Sequence, residues 1–402
     1  MAGCFDSMGS RMMYLKRWAQ SWLAAGFLWF LTAVALAPSN KIYQQGLIVL
    51  LWLPTLLFCW SARGRLAEVW REQRLLWTIV LLLLGWCLLS LYWAVGEDPV
   101  RGVKRLTYIA VFLLFFPLLA NASVPRVILL LQWGGVGLGL SALVSIVNFY
   151  IVQGNPWVAR LQGIGEISHP ILGAYVIAVA IVWMLRWVPQ QRWFQALWVL
   201  SIACLGAFIV LCQSRGAALG LVITVVAMPL WCRDRRSCLI SGAAILAAVA
   251  GFAVMHDLIM ARGSSYRPEI LQAAVQMIWA HPWTGLGLGS PYTVQAVGKV
   301  FDHSHNMFTH IAIEHGIPGL LLWVALWLCL LREIWSARAT EFGKGMMGIW
   351  LFSTLAMQFD AASLTGTPRA EWFVSWLPIG LACVLVWSRA HHVGCDKILR
   401  ST

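Results

Sequence analysis

Long apolar runs alternate with short polar segments along most of the chain. A helix needs about 20 apolar residues to cross a bilayer, so these runs predict transmembrane helices. Twelve runs fit the pattern, at residues 20–37, 45–62, 75–95, 106–120, 127–152, 170–187, 194–212, 217–232, 238–255, 316–331, 345–362 and 373–388. No fixed repeat or change in composition separates them. The pattern therefore predicts a single all-α polytopic membrane domain over residues 1–402.

The composition of the chain supports this prediction. Of its 402 residues, 60% are hydrophobic and only 11% are charged, whereas soluble domains carry about a quarter charged residues. The 25 tryptophans suit a protein that lies across two membrane–water interfaces. None of the ten cysteines forms a C-x-x-C pair, so we expect neither a disulfide framework nor a cysteine zinc site.

The basic residues predict an orientation, because cytoplasmic loops of membrane proteins are enriched in lysine and arginine. If the N-terminus is cytoplasmic, the cytoplasmic segments hold roughly twice as many basic residues as the outer segments. We therefore predict that both termini are cytoplasmic. Most of the net charge of +13 is then a topology signal that also favours anionic lipids, which argues against a nucleic-acid partner. The basic residues of the predicted outer segments oppose this rule, and they indicate an anion-binding face.

The longest polar break lies between Met255 and Gly319, and we predict an outer loop over residues 256–315. Within it, Pro268–Ala280 has apolar residues on one face at helical spacing and a proline suited to a first turn. This pattern predicts an amphipathic helix that lies in the membrane surface. Three glycines follow it, and they predict a tight turn in which the backbone approaches a neighbour closely: Gly285, Gly287 and Gly289.

A histidine-rich segment, Asp302-His303-Ser304-His305-Asn306, follows the glycines. Histidine titrates near neutral pH and is the commonest general base, so His303 and His305 are candidate catalytic residues. A metal site or a structural role is the alternative. The i,i+2 spacing does not share a helix face, and neither H-E-x-x-H nor an acidic triad is present, so we expect no metal and no cofactor.

A helix is predicted to begin near Met307, with Asn306 as its N-cap. His310, Glu314 and His315 lie on this helix, and we interpret them as its solvated face.

Four arginines in the predicted outer segments are candidate phosphate ligands: Arg160, Arg215, Arg262 and Arg267. A guanidinium keeps its charge and offers a planar fork of donors that suits phosphate. Snorkelling to lipid headgroups is the alternative for Arg215, and solvated loop positions are the alternative for the others. Asp360 lies near the outer end of the eleventh run, within reach of the same site or as an ordinary loop residue.

Together these residues resemble those of bacterial O-antigen ligases, within the O-antigen ligase and polymerase superfamily. The resemblance rests on His305-Asn306, which is followed after nine residues by Gly316-x-x-Gly319. Three further features support it: Arg267 ahead of an amphipathic helix, His281-Pro282 shortly before the three glycines, and Ser214-Arg215-Gly216. A large outer loop between the ninth and tenth predicted spans also fits the family.

The resemblance implies a GT-C-like glycosyltransferase in the bacterial inner membrane, with its active site facing the periplasm. Such enzymes move O-antigen from undecaprenyl pyrophosphate to a sugar hydroxyl of lipid A–core, with no metal and no nucleotide. By resemblance, His305 is the base that activates the acceptor hydroxyl, and Arg215 and Arg267 hold the pyrophosphate. Arg160, Arg262 and His303 are assigned to the same site.

Other functions fit parts of the pattern. An O-antigen polymerase or a protein O-oligosaccharyltransferase uses the same donor with another acceptor. A lipid or sugar transporter would place polar groups near the membrane midplane in repeated halves, whereas here they cluster at one face. A membrane metalloprotease would need a ligand set that is absent. Chelator sensitivity separates the protease from the ligase, and product linkage separates the polymerase.

Overall fold

The computed structural model describes residues 2–121, 123–260, 265–360 and 363–401, and most of them are helical. The α-helices are α1 Ala2–Leu36, α2 Asn40–Leu47, α3 Leu53–Phe58, α4 Arg63–Glu72, α5 Arg74–Ser90, α6 Pro99–Ala120, α7 Val124–Ile146, α8 Pro170–Arg186, α9 Arg192–Leu211, α10 Arg215–Ala227, α11 Pro229–Cys232, α12 Arg235–Met260, α13 Arg267–Ala280, α14 Met307–Ser336, α15 Glu341–Ala356 and α16 Trp376–Ser401. Short π and 3-10 turns are Ile48–Trp52, Trp60–Ala62, Val147–Val152, Gly165–Ile167 and Ala370–Phe373.

Every predicted apolar run corresponds to a helix, but the count of twelve spans is not confirmed. Among the described residues, nine helical segments are long and apolar enough to cross a membrane. A tenth is added if the pair Trp60–Glu72 and Arg74–Ser90, bent by 98°, is one span. The runs at 170–187 and 345–362 form α8 and α15, which have 17 and 16 residues and are shorter than a straight span requires.

The helix α8 lies at the centre of the bundle. It is apolar all round, and every side chain from Gly173 to Met184 is buried against α7, α9, α10 and α15. Small residues allow close helix contacts nearby. A Cβ added at Gly139 of α7 would lie only 2.6 Å from Cβ of Ser201 in α9.

Ion pairs of its last residue, Arg186, fix the C-terminal end of α8. Arg186 contacts Asp234 at 3.0 Å and also pairs with Glu341. Since α8 rises about 1.5 Å per residue, its other end at Pro170 lies about 25 Å away. The candidate site is at that other end.

The predicted amphipathic helix forms as α13, with Pro268 in its first turn. It buries Ile270 against an antiparallel hairpin of β1 (Val294–Ala296) and β2 (Lys299–Phe301), in which Val294 pairs with Phe301. The sequence did not predict this hairpin. Its two-residue turn holds Val297 at φ 51° and Gly298 at φ 67°, and Val-Gly is not one of the usual signals for that turn.

Candidate active site

The histidine segment turns sharply just before α14. Asn306 caps the helix as predicted, since its Oδ1 accepts hydrogen bonds from Phe308 N at 2.9 Å and Thr309 N at 3.1 Å. His305, one residue earlier, has φ 49° in the left-handed region that non-glycine residues seldom adopt. This turn places the rings of His303 and His305 beside each other, with centroids 4.1 Å apart.

The two histidines share a buried carboxylate. Nε2 of His303 lies 3.1 Å from Oδ1 of Asp360, and Nδ1 of His305 lies 3.8 Å from the same oxygen. The side chain of Asp360 is only 4% exposed. The loop after α15 is held against the start of α14 by a hydrogen bond from Met307 N to Met357 O at 2.9 Å. The structure therefore joins Asp360 to both predicted histidines.

Burial and charge act in opposite directions on this cluster. Burial raises the pKa of Asp360, but hydrogen bonds and positive charge from His303 and His305 outweigh it and hold that pKa below its ordinary value. Burial lowers the pKa of His303, but Asp360 and, to a smaller extent, Asp302 raise it. The pKa of His303 therefore lies above the ordinary value for histidine. The arrangement thus favours an ionised Asp360 beside a protonated His303.

Asp302, His303 and His305 are also the described residues that lie close enough together to hold one metal ion.

Three of the predicted arginines line one cavity of about 350 Å³, together with Tyr175 and Phe359. Arg160 donates from Nε to Cys212 O at 2.8 Å, and Arg215 donates to Ser265 Oγ at 2.9 Å. Each hydrogen bond restrains a guanidinium. Arg262, the fourth predicted arginine, lies outside the described residues.

Phe359 joins the arginine cavity to the histidine cluster. Its carbonyl accepts a hydrogen bond from Arg267, whose guanidinium lies 5.6 Å from the Phe359 ring centroid. The Cβ of Phe359 would be 2.9 Å from a Cβ added at Gly216. This glycine therefore allows the start of α10 to approach the loop that carries Phe359. Because Asp360 follows Phe359 directly, one short loop contributes both to the cavity and to the histidine cluster, and Arg215 at the N-terminus of α10 lines the same cavity.

One residue of this region, His169, was missed from the sequence. Its Nδ1 accepts from Leu172 N at 3.3 Å and caps α8. Burial lowers the pKa of His169, and Asp360, Arg160 and His303 are near enough for their charges to act on that pKa. The signal was present, since a polar residue followed by proline before an apolar run marks a helix start.

The predicted solvated face of α14 is wrong. His310, Glu314 and His315 are buried. Oε1 of Glu314 accepts from Gly289 N at 3.0 Å, and its Oε2 lies 3.4 Å from Nε2 of His310 and 3.5 Å from Nε2 of His315. His310 also contacts the hydroxyl of Tyr292 at 2.7 Å through Nδ1.

The glycine segment covers this face of α14. Leu286 N donates to Ile313 O at 2.9 Å, and Gly287 N donates to Glu314 O at 2.8 Å. A Cβ at Gly285 would lie 2.5 Å from the backbone of Glu314, so the predicted close backbone approach is present. Gly316 has φ 66° and kinks α14 at the same place. The glycine segment therefore packs directly on the histidine-bearing end of α14.

Two comparisons with known proteins show what this chain is similar to. Residues 200–324 match the family model for O-antigen ligase. The chain is also 29% identical over 368 residues to an O-antigen ligase of Pseudomonas aeruginosa strain PAO1, and the alignment covers 90% of each chain. The family match includes Arg215, Arg267 and both histidines, and the structure adds Arg160 and Asp360 beside them. Both similarities support the assignment of this polytopic membrane protein to the O-antigen ligases and an enzyme activity of the glycosyltransferase type.

Proposed function

We propose that the protein transfers O-antigen polysaccharide from undecaprenyl pyrophosphate to a sugar hydroxyl of lipid A–core. One observation carries the proposal. Three arginines and Phe359 line one cavity, and the residue after Phe359, Asp360, contacts both histidines through its carboxylate. A fixed set of cations beside a general base is what group transfer from a pyrophosphate requires.

In the proposed reaction, the acceptor hydroxyl oxygen attacks the anomeric carbon of the donor sugar and inverts it. His305 accepts the hydroxyl proton. The bond from the anomeric carbon to the pyrophosphate oxygen breaks, and undecaprenyl pyrophosphate leaves with both bonding electrons. A positioned base contributes about 10²–10⁴-fold to such a rate.

The other residues have supporting roles in the proposal. Arg160, Arg215 and Arg267 bind the pyrophosphate and stabilise the charge that develops on it, which is a task that metal ions perform in other enzymes. Arg262 is proposed as a further basic residue for the donor. Asp360 orients His303 and keeps positive charge close to the reacting groups. No metal and no cofactor takes part.

The proposed setting is the bacterial inner membrane, with a GT-C-like fold, twelve spans and both termini in the cytoplasm. The arginine cavity and the histidines then face the periplasm, where both lipid substrates meet. The ion pairs of Arg186 with Asp234 and Glu341 support the grouping of the predicted cytoplasmic loops on one side, because they bring these loops together at one end of α8.

The test is transfer with purified protein, lipid A–core and undecaprenyl-pyrophosphate-linked polymer in the presence of a chelator. The expected product is polymer attached to lipid A–core. Polymer that only lengthens on its own carrier would replace the proposal with a polymerase. Transfer only to protein would indicate an oligosaccharyltransferase, and loss of transfer with chelator would contradict the metal-free reaction.

A further inference from the structure

We infer that Asp302, His303 and His305 form a binding site for a divalent transition-metal ion such as Zn²⁺, and that this ion inhibits transfer. Metal binding follows from the geometry of the three residues alone. The inhibition rests on the proposed function, because it requires that His305 acts on the acceptor hydroxyl.

The three side chains already lie together. One ligand atom from each residue is within 4.8 Å of the others, and Nδ1 of His303 is 2.8 Å from Oδ1 of Asp302. Imidazole nitrogen and carboxylate oxygen bind Zn²⁺ at about 2.0–2.2 Å, so small side-chain rotations bring all three to one ion.

The backbone explains why the i,i+2 spacing, which argued against a metal in the sequence, does not exclude this site. The i,i+2 spacing of His303 and His305 excludes a shared face only if the segment is helical. Here His305 is in the left-handed region and the helix begins after it, at Met307. The two rings therefore point to the same place.

Asp360 supplies the support that a histidine ligand needs. Metal-bound histidines commonly donate their second ring N–H to a carboxylate, which fixes the tautomer and orients the ring. Nε2 of His303 faces the buried Asp360, which leaves Nδ1 for the metal on the side of Asp302. Asp302 is 83% exposed, so an ion can enter from solvent. Three protein ligands leave a fourth position for water.

A bound ion would block the reaction. A metal–nitrogen bond uses the lone pair with which His305 would accept the hydroxyl proton, and it adds positive charge beside that nitrogen. Transfer would then stop until a chelator removes the ion.

The chain contains a matched control pair. His256 and Asp257 are adjacent, and their Nδ1 and Oδ1 atoms are 3.0 Å apart. Both side chains are exposed. They belong to no group of three close ligands among the residues that the structure describes. Two ligands on an exposed helix end bind an ion much more weakly than three.

The first experiment measures binding without reference to activity. Co²⁺ is titrated into purified protein without an affinity tag, and the visible absorption of four-coordinate Co²⁺ is recorded for wild type, Asp302→Asn and Asp257→Asn. We expect one ion per chain in wild type, at least about tenfold weaker binding in Asp302→Asn, and wild-type binding in Asp257→Asn. Absence of the band, or equal binding by all three proteins, would overturn the metal site.

The second experiment measures inhibition. Zn²⁺ is expected to suppress transfer by wild type and by Asp257→Asn, and a chelator is expected to restore it. Asp302→Asn should resist Zn²⁺ at least about tenfold better, measured as transfer with Zn²⁺ relative to transfer by the same variant without it. If Co²⁺ binds but Zn²⁺ leaves transfer unchanged, the inhibitory role is wrong. If no variant transfers polymer, the proposed function fails while the Co²⁺ titration still decides the site.

Discussion

Nε2 of His303 lies 3.1 Å from Oδ1 of Asp360, although 57 positions separate the two residues in the chain. The contact connects the polar segment before α14 with the loop after α15. It also connects the two parts of the site, because Phe359 lines the arginine cavity and Asp360 binds the histidines. A donor phosphate and an acceptor hydroxyl could therefore be held on either side of one short loop.

Asp360→Asn should reduce transfer while the protein stays folded. The amide still accepts from His303 but carries no charge, and hydrogen bonds to charged groups contribute about 1.5–3 kcal/mol. We expect kcat/KM to fall by about 10- to 100-fold with little change in thermal unfolding. Asp360→Ala should be less active still, because it leaves His303 without this partner. Wild-type activity in the alanine variant would remove Asp360 from the site.

Arg215→Ala and Arg267→Ala should weaken use of the lipid-linked donor. Each removes charge-assisted hydrogen bonds to phosphate, so we expect kcat/KM for the donor to fall by about 10-fold or more. The KM for lipid A–core should stay near the wild-type value. Arg101→Ala is the matched control, since Arg101 is exposed and does not line the cavity. An effect on the acceptor alone would contradict the proposed pyrophosphate clamp.

Gly285→Ala should destabilise the packing of the glycine segment on α14. Its φ is 62°, and a Cβ there would lie 2.5 Å from backbone atoms of Glu314 and Gly316, which cannot move as a side chain can. Strain at such a position costs about 1–3 kcal/mol, so the unfolding temperature should fall. Gly242→Ala is the control, because its added Cβ meets nothing within 4 Å in helix α12 and alanine favours a helix. Equal unfolding temperatures for both variants would show that the close approach is absent.

Glu314→Gln should be tolerated better than Glu314→Ala. Glutamine keeps an acceptor for Gly289 N, whereas alanine leaves that N–H and two buried histidines without the shared carboxylate. Removing one partner of a buried charged network costs about 3–5 kcal/mol. Thermal unfolding and transfer should both fall in the alanine variant. Stability equal to wild type would mean that the network does not hold the glycine segment to α14.

Local features of this fold were predictable from the sequence. Apolar length located the helices, proline marked the start of α13, and Asn306 marked the start of α14. These signals depend on neighbouring residues and on the hydrocarbon around them. Span number was less predictable, because α15 is helical over only 16 residues.

The site itself depended on contacts between distant segments. The sequence named His303, His305 and the arginines from their chemistry, but nothing local shows that Asp360 reaches His303. The buried face of α14 is a similar case. His310, Glu314 and His315 look solvated until the glycine segment folds over them. His169 was overlooked because it caps a central helix outside the polar loop.

The most direct measurement is the rate of polymer transfer to lipid A–core by purified wild type, His305→Ala and His281→Ala, with a chelator present. His281 is an exposed histidine at the end of α13, so His281→Ala controls for loss of a histidine in general. We predict that wild type and His281→Ala transfer polymer at similar rates and that His305→Ala is slower by about 10²–10⁴-fold. Transfer by His305→Ala at the wild-type rate would contradict the assignment of His305 as the base.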